Sequence, residues 1–217
     1  MDDIFQGPAE VFRIFGFPIT ESIVNSWIVM AVLIVLALVL RRNLKTYPGR
    51  VQNVLELIVD GFNSLVSTTM GPNRIGFMPY MITLFLFIAF SNMLGLFGLR
   101  PPTADINISL GLALLTFLAI HLYGFRIKGF RYILSFTEPF FPVLPLNIIG
   151  ELAKPVSLSF RLFGNILGGA VLMAMIGGAI AIFVPVFPGL YFELFAGLLQ
   201  SFIFVMLTMV FITLAIE

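Results

Sequence analysis

Charged residues divide this chain into apolar runs long enough to cross a bilayer, which takes ~20 mostly apolar residues per helix. The stretch between Glu21 and Arg41, centred on Ile28 to Leu40, is one such run, and Trp27 stands where an interfacial aromatic belongs. Two more follow, from about Ile75 to Leu99 and from Ile106 to Phe125. Between the first two, Arg50-Val-Gln-Asn-Val-Leu-Glu56-Leu-Ile-Val-Asp60-Gly-Phe sets Gln52, Asn53, Glu56 and Asp60 at helical spacing opposite a broad apolar face. This pattern predicts an amphipathic helix, lying at the interface or against a partner, or else an ordinary connecting helix.

The C-terminal third differs. A helical pattern runs from about Leu146 to Phe183, ~57 Å at ~1.5 Å per residue, against a hydrocarbon core ~30 Å thick. Such a helix must tilt strongly. The turn Val184-Pro-Val-Phe-Pro188-Gly189 closes it, and a second long segment runs from about Leu190 to Ile216. The two predict a tilted helical hairpin, its first member open to bending at Pro155, which lacks a backbone donor. The fold expected is all-α: a polytopic membrane protein of five crossing helices plus the amphipathic helix. It forms a single membrane domain over residues 1–217, with parts at 1–74, 75–131 and 146–217.

Composition agrees, with 59% hydrophobic and 11% charged residues and a mean hydropathy of +1.07, far outside soluble globular usage. A net charge of +1 gives no electrostatic case for nucleic acid as a partner. The absence of cysteine excludes disulfides, thiolate metal sites and cysteine nucleophiles. Met1-Asp-Asp is acidic where a secretory signal is basic, so delivery through the spans themselves is expected. Arg41, Arg42, Lys45, Arg50 and Arg74 lie between spans one and two, and Arg126, Lys128 and Arg131 follow span three. The opposite side has only Arg13 and Arg100, which predicts an N-terminus outside and a C-terminus in the cytoplasm.

One charge defies this economy. Arg161 sits in Ser157-Leu-Ser-Phe-Arg161-Leu-Phe-Gly-Asn165, and no charged residue follows until Glu193. A guanidinium at a helix centre costs ~2.5 to 3.5 kcal/mol even on the lenient insertion scale. It also stays protonated, which suits a fixed electrostatic barrier better than a proton carrier. At ~100° per residue, Asn147, Lys154, Ser157, Asn165 and Gly168 fall within ~40° of Arg161, with Glu151 beside this stripe. Glu193 and Gln200 share a face of the second long segment, where Gln200 is placed to meet the Arg161 region across the hairpin. Such a stripe either seals helices by hydrogen bonds or lines an ion path. The ion path accounts better for Arg161, whose nearest carboxylate in sequence, Glu151, is nearly three turns away. Because a continuous pore would leak, the charge partner of Arg161 is expected on another protein that moves past it. A self-contained ion-coupled secondary transporter is the competing class, and it predicts an internal repeat with paired broken helices that this sequence does not show. His121 and the pairs Gly168-Gly169 and Gly177-Gly178 read as packing residues, and neither a metal nor a cofactor is expected.

The run Lys154-Pro-Val-Ser-Leu-Ser-Phe-Arg161-Leu-Phe-Gly-Asn165 resembles the signature of subunit a of the F-type ATP synthase membrane sector. Leu199-Gln200-Ser-Phe-Ile-Phe-Val-Met-Leu-Thr208 resembles that family's last helix, and Pro102-Thr-Ala-Asp105-Ile-Asn its outer loop. The likeness extends over almost the whole chain, including Gln52-Asn53 with Glu56, and Ala89 to Leu96. It implies a non-catalytic stator subunit with two offset half-channels that pass H+ or Na+ to and from the c-ring carboxylate, while ATP chemistry stays on distant soluble subunits. Arg161 then corresponds to the essential stator arginine, with Asn165 and Gln200 near it. Glu193, Asp105 and Asn92 belong to the outer route, and Glu151, Lys154, Ser157 and Asn147 to the cytoplasmic exit. The implied partners are the c-ring, peripheral-stalk b subunits and membrane lipid, in a bacterial plasma membrane. One position departs: nine residues after the arginine, where many relatives carry a glutamate or histidine, this chain has Ala170. The outer route is therefore expected to lean on Glu193, Asp105 and ordered water.

Overall fold

In hydrocarbon a segment must pair its own backbone N–H and C=O groups, so apolar runs of this length become helices. The computed structural model describes residues 9–14, 17–42, 44–45, 49–136, 141–177 and 190–216. Its elements are α1 (Glu21–Arg42), α2 (Arg50–Met70), α3 (Met78–Met93), α4 (Ile106–Lys128), the short α5 (Arg131–Ser135) and α6 (Leu144–Gly177). The last crossing element is a π-helix, Leu190–Ala196, continued by α7, Gly197–Ile216. Among the described residues, five helical segments are long and apolar enough to cross a membrane, in the order the sequence predicts. The expected turn at Val184–Gly189 and the end of the long helix after Gly177 lie outside the described residues.

Helix ends follow local chemistry. Asp105 caps α4, its side chain accepting from the Asn107 N–H at 3.0 Å. Glu21 at the start of α1 and Arg41 and Arg42 at its end complement the helix dipole. Gly71 ends α2 at φ 97°, a conformation that favours glycine. At 34 residues, α6 runs ~51 Å and continues through Pro155. It is too long to stand upright in a ~30 Å core.

An unforeseen element precedes α1. Strands β1 (Glu10–Ile14) and β2 (Phe17–Thr20) pair as an antiparallel hairpin, tied to α1 by the Glu21 N–H on Ala9 O at 3.0 Å. Strands of five and four residues, one containing Pro18, leave too short an alternation to read in sequence.

The helices are unequally embedded. α6 packs most extensively on α4, and α7 packs on both α3 and α4, so α4 supports both long C-terminal members. Leu158 and Leu162 of α6, Ile120 of α4, Met81 and Ile88 of α3, and Phe204, Met209 and Ile212 of α7 fill one core. Only Ser22, Asn25 and Val29 of α1 are buried, and Asn25 Nδ2 anchors it by donating to Arg100 O at 2.9 Å. The rest of α1, and Val51, Val54 and Leu57 of α2, present bare apolar surface. Helix α2 extends beyond the amphipathic run to Met70, docking through Val66 and Met70. Its first turn closes on the preceding loop, where Gln52 bonds both Lys45 N and Lys45 O at 2.9 Å. His121 packs among Phe117, Tyr132 and Phe136, with its Nδ1 2.9 Å from Phe117 O.

Candidate ion path

Helix α6 carries the polar residues, and its register sorts them into two groups. Counting ~100° per residue from Arg161, Ser157, Gly164 and Gly168 fall to one side, and Lys154, Asn147, Asn165 and Glu151 to the other. The first group is exposed together with Arg161, while the second turns partly into the bundle. The single polar stripe expected from sequence is thus two strips that part at Arg161. Neighbouring α4, α5 and α7 cover one edge of it and leave the other open.

On the open strip, Arg161 makes no ion pair or hydrogen bond with any described residue. A methyl group added to Gly164 or Gly168 would meet nothing within 4 Å, so the surface beside the guanidinium is low and unobstructed. Glu151 does not serve Arg161. It accepts from Lys154 Nζ, which also lies 5.1 Å from the Phe211 ring centroid. Asn147 Nδ2 donates to Phe136 O at 2.8 Å, and Asn165 Nδ2 to Ala196 O at 3.3 Å.

Two separate cavities open along α6. One of about 510 Å³ is lined by Asn147, Glu151, Lys154, Lys128 and Tyr132. The other, of about 480 Å³, is lined by Ile166, Leu167 and Ala170 of α6 together with Glu21 and Arg100. From Lys154 to Ile166 is ~18 Å of helix at ~1.5 Å per residue, with Arg161 between them. Buried Leu158 and Leu162 close the interior over that interval.

Near the Glu21 end lies a buried polar cluster. Thr103 Oγ1 donates to Asn92 Oδ1 at 2.6 Å, and Asn92 Nδ2 donates to Gly197 O at 3.0 Å and to Ser201 Oγ at 3.4 Å. Ser109 Oγ donates to Thr103 O at 2.9 Å, and Asp105 is buried beside them at the α4 cap. Gln200 is buried on the same helix as Ser201, and its Nε2 has no partner among the described residues. Among the described residues it makes no hydrogen bond to Arg161, while Asn165, one turn beyond Arg161, reaches the same C-terminal segment at Ala196 O. Glu193 falls in the π-helix, with its side chain outside the described residues. The shared face of Glu193 and Gln200 assumed α winding throughout. A π turn takes one residue more, which shifts the face by ~100°.

Sequence reasoning missed Glu21 and Arg100 at the cavity with Ala170, and Thr103, Ser109 and Ser201 in the buried cluster. Glu21 carried one signal, a carboxylate on the first turn of a span; Thr103 and Ser201 lay inside segments that carry the family resemblance, and Ser109 carried no signal. Tyr132 was also missed. Burial, and secondarily the charge of Glu151, push its phenol up to about 12, so it is neutral at working pH.

The ATP synthase A chain family matches residues 23–213. ATP synthase subunit a of Trichlorobacter lovleyi is 39% identical over 202 residues, 91% of this chain and 87% of that protein. A protein of Propionigenium modestum named ATP synthase subunit a, sodium ion specific, is 37% identical over 216 residues, 92% of this chain and 75% of that protein. ATP synthase subunit a 2 of Syntrophotalea carbinolica is 35% identical over 214 residues, 96% of this chain and 90% of that protein.

Proposed function

Because this chain belongs to the ATP synthase subunit a family, it is an integral membrane protein and the non-catalytic stator ion-channel subunit of the synthase, and we propose that Arg161 is its electrostatic gate. The observation that carries this reading is an exposed Arg161, with no ion pair or hydrogen bond to any described residue, lying between two cavities along one helix. The partner that supplies its counter-charge is a ring of c subunits, each with an ion-binding carboxylate, sliding past the low face of Ser157, Gly164 and Gly168.

The mechanism follows from charge. A c-ring carboxylate arriving ionised is stabilised by Arg161. Displaced toward the outer route, it takes up an ion and enters lipid neutral, where a bare charge would cost several kcal/mol. Arg161 keeps the two routes apart, since a cation crossing between them would pass a fixed positive charge in low dielectric. Glu193, Asp105 and Asn92 serve the outer route, with Glu21 at its vestibule. Asn147, Glu151, Lys154 and Ser157 serve the cytoplasmic exit, and Asn165 and Gln200 flank the gate. The transported ion is H+ or Na+, a choice made mainly by the c-ring.

The chain forms one membrane domain in a bacterial plasma membrane, N-terminus outside and C-terminus cytoplasmic. The bare apolar sides of α1 and α2 take lipid and the membrane helices of peripheral-stalk b subunits. Single cysteines replacing Lys45 and Lys128 react from the cytoplasmic side and one replacing Leu99 from outside; the reverse pattern inverts the orientation. The gate is tested by ATP synthesis in reconstituted vesicles under an imposed ion gradient. Arg161→Ala assembles and does not synthesise ATP, and near-native rates would refute the gate.

A further inference from the structure

The last crossing helix changes its winding beside the buried polar cluster, from π over Leu190–Ala196 to α over Gly197–Ile216. A π stretch is rare and tends to occur at functional sites. Two asparagines from different helices grip the point where this one ends. Asn165 Nδ2 of α6 donates to Ala196 O at 3.3 Å, and Asn92 Nδ2 of α3 donates to Gly197 O at 3.0 Å. These carbonyls belong to the last π residue and the first α residue. Each has a second lone pair, so it accepts a side-chain amide in addition to a helical N–H. Asn92 is held in turn by the Thr103 hydroxyl at 2.6 Å, and the Ser201 hydroxyl shares Gly197 O at 2.7 Å. Gly197 makes the approach feasible, because a Cβ there would lie 2.9 Å from the Asn92 Cβ.

We propose that Asn92 and Asn165 are positioning residues that pin the π-to-α junction and so fix the angular register of residues 190–196 against Gln200. The functional consequence rests on the reading that Glu193 serves the outer route. Rewinding the segment as α-helix would turn it by ~100° relative to α7 and carry position 193 away from that route. Neither amide needs to touch the ion. Their work is to hold a winding that an unsupported helix would relax.

The chain has no cysteine, so single cysteines at each of positions 190–196 report the winding directly. They are labelled in the assembled complex with a membrane-impermeant maleimide. With both asparagines present, reactive positions recur at the wider π spacing. Asn92→Ala and Asn165→Ala each move the pattern toward α spacing and lower ion-driven ATP synthesis by about tenfold. Asn165→Gln keeps an amide donor and restores much of both. Gly197→Ala, which wedges Asn92 away from the junction without removing either asparagine from the chain, produces the same phase shift. A labelling pattern that stays put in the two alanine variants of asparagine and in Gly197→Ala overturns the proposal. A pattern that moves while Glu193→Gln synthesises at the native rate supports the pin and removes Glu193 from the outer route.

Discussion

The open strip around Arg161 and the closed cluster around Asn92 treat their polar groups in opposite ways. In the cluster, Asn92, Thr103, Ser109 and Ser201 satisfy one another and the Gly197 carbonyl, as buried polar groups must. Arg161, far costlier to place in a bilayer, is left exposed and unpaired by every described residue. Saturated groups hold helices in register. A charge left unsatisfied calls for an outside partner, and here a moving one. The same helix serves both regions, through Arg161 on one side and Asn165 on the other.

The difference is broken most sharply at Arg161. Arg161→Ala lowers ion-driven ATP synthesis by ~100-fold or more, the scale expected when a preorganised charge is removed from a low-dielectric site. Arg161→Lys recovers little, because it loses the planar fork and is deprotonated more readily when desolvated. Assembly persists in both, since the guanidinium contributes no contact to the core. Reconstituted vesicles with the complex quantified by immunoblot separate the two effects.

The next largest effect is at Glu193. A proton relay needs a titratable group within reach of the carrier, so Glu193→Gln slows synthesis by roughly 10- to 100-fold. Adding Ala170→Glu recovers part of the rate, because Ala170 lines the cavity shared with Glu21 and Arg100. Ala170→Glu alone changes little. Native rates for Glu193→Gln across the working pH range would move the outer route to Asp105, water or neutral oxygen ligands for Na+.

A smaller effect is expected at Glu21, which is only partly buried where it lines that cavity. Glu21→Gln lowers the synthesis rate about two- to threefold at low salt, and less at high salt, because a rim charge acts by concentrating cations. Rates measured across a salt series test this. A loss that is large and independent of salt would make Glu21 a relay group instead.

Much of this was legible in advance, for physical reasons. Spans are set by local apolar length, so all five were readable, and Arg161 stood out because its cost is independent of its neighbours. Which edge of the stripe is covered depends on where α4, α5 and α7 pack, and periodicity cannot supply that. The pairing of Glu151 with Lys154, the turning inward of Asn147 and the Asn92 cluster are all tertiary outcomes. The π winding escaped because face arithmetic assumes one pitch throughout. The grip of Asn92 and Asn165 depends on carbonyls, which every residue has and no sequence marks.

The smallest predicted effect is at Tyr132, on the closed side near Glu151. Its ring lies against Gly124, where an added Cβ would sit 2.6 Å from a ring carbon, and His121 and Phe136 pack on it. Tyr132→Phe keeps that packing and removes only the hydroxyl, so synthesis between pH 6 and 9, a range roughly spanning neutrality, is nearly unchanged. The consequence appears in alkali. The folded phenol titrates at about 12 rather than near 10, so the folded state holds its proton more tightly than the unfolded chain does. Stability from this group is complete below pH ~10 and is lost as pH rises toward 12. Tyr132→Phe therefore makes the alkaline decline in unfolding temperature shallower over that window, and its ultraviolet titration lacks the late phenolate step. An identical decline in both proteins would mean that neither burial nor the charge of Glu151 acts on this phenol.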